Sequence, residues 1–258
     1  MERSSLSSID SEVDELIACG TKSEEECSDQ LVSEIHPSLW FRRNSVNLVV
    51  GARGSGKTWG TLREILKCLM LRETDEHIPP YTQLFYINSK YADDSVKQLQ
   101  PLLERYIQFH WIQTEDALKL IQVLEYGKAN LDEPEFRNCL NADYLSEGQL
   151  PHSLLLFDDC AYLLSKPSEL LKKLFQTRQA RLTVFLMLQD PQSISVSAKS
   201  NLDSIILHGG FSRQKFNVLF YQLPPIEGFT YEIYSQLRKE DYVFIDFIKG
   251  TFSFQYRK

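Results

Sequence analysis

One stretch constrains this chain more than any other: an apolar run, a glycine-rich turn and a helix-like run in direct succession. Residues 47–58 read Asn-Leu-Val-Val-Gly-Ala-Arg-Gly-Ser-Gly-Lys-Thr. Gly51, Gly56, Lys57 and Thr58 fit the G-x-x-x-x-G-K-[ST] spacing of a phosphate-binding loop. The spacing has a physical basis. Gly51, Gly54 and Gly56 can take backbone angles closed to other residues and bring bare N–H groups against phosphate. Ala52, Arg53 and Ser55 complete the loop, and the helix that follows points its positive end at the same anion. Lys57 is expected to reach the β- and γ-phosphates of a nucleoside triphosphate, and Thr58 to hold Mg²⁺ through its hydroxyl. The competing reading, an ordinary glycine turn between a strand and a helix, leaves the lysine and threonine unexplained.

The second signal lies a hundred residues on. The run Leu-Leu-Leu-Phe at 154–157 ends in Asp158 and Asp159. A buried strand delivering an acid beside a phosphate loop fits the metal-holding carboxylate of such sites, so Asp158 is the expected Mg²⁺ partner. A second acid can polarise a water for in-line attack on the γ-phosphate, and Asp159 is assigned that part. A kinase would instead position an acceptor hydroxyl, so the doublet favours hydrolysis. The apolar run Leu182–Leu188 ends in Gln189, which could sense the γ-phosphate or hold the attacking water; a strand-capping glutamine before Asp190 and Pro191 accounts for it equally well. Arg178 and Arg181 precede that run. By composition alone they read as solvated surface arginines.

Between these landmarks, apolar runs alternate with helical periodicity. Strands are expected at 46–50, 83–88, 107–112, 153–157, 182–188 and 202–207. Helices are expected over 57–71, 96–106, 114–126 (with Thr114 as cap), 163–175 and 231–238. Residues 216–222 fit either state, and 242–248 with 251–256 read as a terminal hairpin. In the first helix Leu62, Ile65, Leu66, Leu69 and Met70 share one face. Trp40 and Phe41 read as cover for the core or for a base. This alternation predicts an α/β fold, a mostly parallel central sheet covered by helices with a short C-terminal β-hairpin. Residues 127–152 are polar and broken and read as an excursion.

Charge divides the chain in two. The overall net charge is −7, and residues 1–36 carry ten acidic and two basic side chains. The remainder is therefore near +1. Residues 1–36 are read as an acidic, flexible segment and 37–258 as the nucleotide-binding domain. A near-neutral body neither favours nor excludes nucleic acid, for which a local patch suffices. The five cysteines are scattered and odd in number, as expected of free thiols in a reducing compartment. Neither a signal peptide nor a membrane-spanning run is evident, so a location inside a cell is expected rather than secretion.

The order GARGSGKT, LLLFDD, TRQARLTVFLMLQ and AKSNLDSII resembles the viral genome-packaging ATPases of the FtsK–HerA superfamily, found in poxviruses, giant viruses and virophages. The resemblance spans roughly residues 45–210. In that family an Arg-His pair precedes the fourth core strand, which ends in Gln, and a basic-x-Asn-x-Asp stretch follows. Here Arg178 falls at the arginine, Gln179 replaces the histidine, and Lys199, Asn201 and Asp203 match the later stretch. The resemblance implies the additional-strand, catalytic-acid class of P-loop NTPase, in which one strand separates the phosphate-loop strand from the acidic one. It implies Mg-ATP as cofactor and a homo-oligomeric ring with ATP at subunit interfaces. Arg178 would then act in trans on a neighbour's nucleotide, with Arg181 behind it. It further implies sequence-independent contact with double-stranded DNA, capsid or portal partners, and a place at the site of virus assembly in the host cell or in the virion. Lys166, Lys172 and Lys173 are candidates for the DNA channel, although a solvated helix face explains them as well.

Two other classes fit the phosphate loop. A nucleoside or small-molecule kinase should carry a single dominant strand-end acid and an arginine-rich lid. A non-motor NTP-binding assembly factor should bind without turnover. The acid doublet argues against the first, and the intact set Lys57, Thr58, Asp158 and Asp159 against the second.

Overall fold

The computed structural model describes residues 39–42, 44–72, 81–88, 94–126, 152–160, 181–190, 194–221 and 223–256. The acidic segment 1–36, the stretch 127–151, the expected helix 163–175 and Arg178 lie outside the described residues.

The core is an eight-stranded sheet in the order β3-β2-β4-β5-β1-β6-β7-β8. Its strands are β1 (Val46–Val50), β2 (Tyr81–Asn88), β3 (Gln108–Gln113), β4 (His152–Asp158), β5 (Leu182–Leu188), β6 (Ser204–His208), β7 (Tyr242–Asp246) and β8 (Thr251–Gln255). From β3 to β6 all neighbours are parallel; β7 pairs antiparallel with β6, and β8 with β7. The expected terminal hairpin is thus β7–β8, and it extends the sheet instead of standing apart. The acidic strand β4 and the phosphate-loop strand β1 are separated by β5 alone, the arrangement that the family resemblance implies.

Helices cover both faces because the central strands are apolar on both sides, as parallel sheets require. Alternation along each strand divides the core in two. Leu48 and Val50 of β1, Leu155 and Phe157 of β4, and Leu186 of β5 face one layer. Val49, Leu156 and Met187 face the other. The second layer is closed by α1 (Lys57–Leu71) and α2 (Asp94–Leu103), whose Leu62, Ile65, Leu66 and Leu69 pack with Val96, Leu99 and Leu103. The apolar face read from the sequence is therefore the buried one, with Met70 partly buried at its margin. The first layer is closed by α3 (Ala117–Tyr126) and α5 (Arg213–Phe220), through Ile121 and Leu124, Phe216 and Leu219. A single-turn helix α4 (Val196–Lys199) precedes β6, and α6 (Tyr231–Tyr234) precedes β7.

Several boundaries differ from expectation, each for a local reason. The second helix starts at Asp94 and ends at Leu103, since residues 104–106 form a turn. Thr114 opens a short 3₁₀ turn, Thr114–Asp116, whose N-cap is Gln113 with no side-chain cap bond; Thr114 is not the cap. Residues 213–220 are helical because Ser212 caps them, its Oγ accepting from the Lys215 N–H. The expected helix 231–238 is a single turn. The sixth strand starts at Ser204, since Leu202 belongs to the preceding turn, its N–H donating to the Lys199 carbonyl. Trp40 and Phe41 cover the core, Trp40 against Tyr242 with ring centroids 4.3 Å apart and Phe41 against Phe185 at 5.0 Å.

Candidate nucleotide site

The carboxyl ends of β4, β5, β1 and β6 lie side by side, and the sequence-predicted residues emerge there. Val50 of β1 is in register with Leu188 of β5 and Leu207 of β6, and Asp158 with Met187. The loop leaving β1 is tied to β5 at once, with the Gly51 N–H donating to the Leu188 carbonyl at 3.1 Å. A side chain at Gly51 would clash with Ser55 Oγ and stand 2.9 Å from His208 Cβ, so the chain can turn here only without one. Gly56 takes φ 85° and caps α1 without a side-chain bond. The first turn of α1 therefore presents unsatisfied backbone N–H groups, as every helix start does, at the mouth of the loop.

Lys57 is 8% exposed, and its ammonium donates to the Gly51 carbonyl at 2.7 Å and the Ala52 carbonyl at 3.4 Å. It folds back onto the loop's own backbone. Ser55 is 1% exposed, and its buried hydroxyl has no hydrogen-bond partner among the described residues. Thr58 and Asp158 stand together: Thr58 Oγ1 donates to Asp158 Oδ2 at 3.0 Å. This pair of hard oxygen donors fits Mg²⁺, which takes one or two protein oxygens and completes its shell with water and phosphate. Among the described residues no cluster of His, Cys, Asp or Glu forms an all-protein metal cage.

Asp159 takes a left-handed backbone, φ 55°, immediately after β4. Such a conformation is uncommon for a non-glycine residue and concentrates at functional turns. Its Oδ1 accepts from Gln189 Nε2 at 2.9 Å across the strand tips. The two residues singled out separately in the sequence are thus partners. Cys160, next in the chain, is buried, its thiol pushed up to about 12 chiefly by burial, and its Sγ donates to the Asp158 carbonyl at 3.1 Å. It is a structural thiol. Cys68 is likewise a free, buried thiol.

The structure also separates residues that the sequence had grouped. Lys199 is buried and donates to the Val218 carbonyl at 2.5 Å; burial lowers its pKa. Asp203 Oδ2 accepts from the Val46 N–H at 2.8 Å. These two members of the basic-x-Asn-x-Asp stretch hold α5 and the start of β1, while Asn201 is exposed. Arg181 takes φ 56° in the turn before β5, at the opposite end of that strand from Gln189.

Two neighbours of the site went unread in the sequence. Tyr86, in the middle of an apolar run, donates its hydroxyl to Asp158 Oδ2. Lys215, on α5, pairs with Asp190 Oδ2 at 3.2 Å and lines an open cleft of about 550 Å³ with Ala52, Arg53, Gln189 and Phe211. Neither belongs to a motif, so periodicity had no means of flagging them.

No protein family and no curated protein matches the sequence. Solved structures do match the fold. The genome packaging NTPase B204 from Sulfolobus turreted icosahedral virus 2, in complex with ATPγS, superposes with a TM-score of 0.55 at 14% identity, over 82% of this chain and 96% of that one. The same NTPase in complex with AMP gives a TM-score of 0.56 at 12% identity, over 82% and 96%. B204, the DNA-packaging ATPase from Sulfolobus turreted icosahedral virus, gives 0.53 at 12% identity, over 83% and 97%. At these identities the likeness is one of fold: this chain has the P-loop NTPase fold seen in B204, a mostly parallel sheet covered by helices.

Proposed function

We propose that the chain is an ATP-hydrolysing DNA translocase that packages a double-stranded viral genome into a capsid, acting as a homo-oligomeric ring. The observation that carries the ATPase reading is the convergence at one sheet edge of Lys57, the Thr58–Asp158 pair and the Asp159–Gln189 pair. The fold of packaging ATPases, met over 96% of the length of B204, supports the motor reading.

The residues divide the work. The loop from Gly51 to Thr58, with Ala52, Arg53, Gly54, Ser55 and Gly56, wraps the phosphates with backbone N–H groups, and Lys57 neutralises the β- and γ-phosphates. Thr58 and Asp158 would hold Mg²⁺, which when bound neutralises charge on the phosphate oxygens. Asp159 accepts a proton from the attacking water, and Gln189, hydrogen-bonded to it, orients that water and reports the state of the γ-phosphate. Arg178 of a neighbouring subunit completes the site in the ring. DNA contacts are expected to be backbone-directed and salt-sensitive. No helix among the described residues is long and apolar enough to cross a membrane, and action in the host cell at the site of virus assembly follows from the proposal.

The test is ATP turnover by the full chain with and without long double-stranded DNA, with Asp159→Asn as control. Asparagine tolerates the left-handed conformation and can still accept from Gln189, so the variant removes the charge and little else. DNA-stimulated turnover that falls at least 100-fold in the variant is expected. Binding without turnover under both conditions counts against the motor, and phosphoryl transfer to an added nucleoside would replace it with a kinase.

A further inference from the structure

We propose that Tyr86 is a positioning residue that sets the Asp158 carboxylate for Mg²⁺; the proposal rests on the P-loop ATPase reading above. A tyrosine buried within a sheet must find an acceptor for its hydroxyl or lose the full value of that bond. Tyr86 is fully buried (0% exposed) on β2, the strand beside β4, with Tyr86 in register with Leu156 and Asn88 with Asp158. Its ring therefore starts two residues short of the carboxylate and reaches along the strands to it. The acceptor it finds is Asp158 Oδ2, the same oxygen to which Thr58 donates. Two hydroxyls from different elements converge on one carboxylate oxygen and define the rotation of the carboxylate.

The ring itself is held from outside the site. Trp111 of the edge strand β3 meets it edge-on with centroids 4.8 Å apart, and Phe109 stacks at 6.2 Å. Trp111 Nε1 in turn donates to Gln100 Oε1 of α2 at 3.2 Å. A chain of contacts thus runs from the sheet edge to the proposed metal-holding carboxylate. Partners one shell removed from a metal are worth about 10–100-fold in metal affinity or activity when lost. Tyr86 has the geometry of such a partner, whereas a purely structural hydroxyl would serve equally well on any backbone carbonyl.

The experiment is binding of a fluorescent ATP analogue to the full chain, first in EDTA and then across a Mg²⁺ titration. Tyr86→Phe keeps the ring and its packing. Expected are an affinity in EDTA within about twofold of the original chain, which reports an intact fold and loop, and a half-saturating Mg²⁺ concentration raised roughly 10–100-fold. An unchanged Mg²⁺ requirement overturns the role of Tyr86 and leaves the nucleotide site standing. An unsubstituted chain whose analogue binding ignores Mg²⁺ overturns the metal assignment beneath it as well. If Tyr86→Phe does not fold, Trp111→Leu takes its place. It loosens the ring from a position 39% exposed, and a severalfold rise in the Mg²⁺ requirement is expected; no rise overturns the proposal.

Discussion

At the scale of single residues, the site is a set of short side-chain contacts that a linear pattern identifies only in part. Lys57, Thr58 and Asp158 were singled out by their fixed spacing to a glycine turn or a strand end, and the structure brings Thr58 and Asp158 together. Gln189 was ambiguous in the sequence, where a capping residue looks the same. Its bond to Asp159 gives it a partner at the site. Tyr86 was invisible, because an aromatic inside an apolar run reads as core and here is both core and ligand to a carboxylate. The opposite happened to Lys199 and Asp203. Their spacing matched a family motif, yet both side chains are spent on backbone groups of β1 and α5. The prediction at this scale concerns Lys57, whose ammonium is held within the loop by two carbonyls. Lys57→Ala should weaken ATP binding by roughly 10–100-fold, as loss of a charge-assisted hydrogen bond does. Isothermal titration with ATP checks it, and an unchanged affinity would remove the phosphate-loop assignment.

At the scale of elements, long uninterrupted apolar runs gave reliable strands: β1, β4 and β5 fall within a residue or so of the boundaries read from sequence. Short or capped elements did not. Of the 3₁₀ turn at Thr114, α5 and the single turn of α6, only α5 has a side-chain cap, Ser212, of a kind worth about 1 kcal/mol. Such local terms are easily overridden by packing. One buried pair fastens the approach to β1 onto the antiparallel end of the sheet: Arg42 Nη2 lies 2.6 Å from Asp246 Oδ2. The other oxygen of Asp246 accepts from the N–H groups of Ile248 and Lys249, so the same carboxylate also shapes the β7–β8 turn. Asp246→Ala takes a carboxylate partner from a buried guanidinium and the acceptor from two turn N–H groups, and should cost about 3–5 kcal/mol in urea unfolding. Arg42→Met leaves the carboxylate its two backbone donors and should cost less. Equal losses would mean that the turn bonds contribute nothing.

At the scale of the whole molecule, the strand order decides which residues meet. With β5 between β1 and β4, Gln189 is brought between the phosphate loop and the acid pair, although 131 residues separate it from Thr58 along the chain. A ring would add a further scale, since the neighbour's arginine would complete each site. Arg178→Ala is expected to abolish turnover while sparing ATP binding. Mixed with unsubstituted subunits, it should depress turnover more steeply than its share of the subunits. Turnover falling in simple proportion to the mixture would show that Arg178 acts within its own subunit or not at all.

The sequence by itself determined the phosphate loop, the strand-end acids and the sheet-and-helix alternation, because each rests on local chemistry: glycine's freedom at positive φ, burial of apolar runs and the period of an amphipathic helix. The tertiary structure alone decided what those residues touch. The antiparallel docking of β7, the joining of Gln189 to Asp159 and the reach of Tyr86 to Asp158 come from strands side by side in the sheet and distant in the chain. Spacing along the chain does not encode that adjacency, since side chains meet across a sheet according to strand order and register.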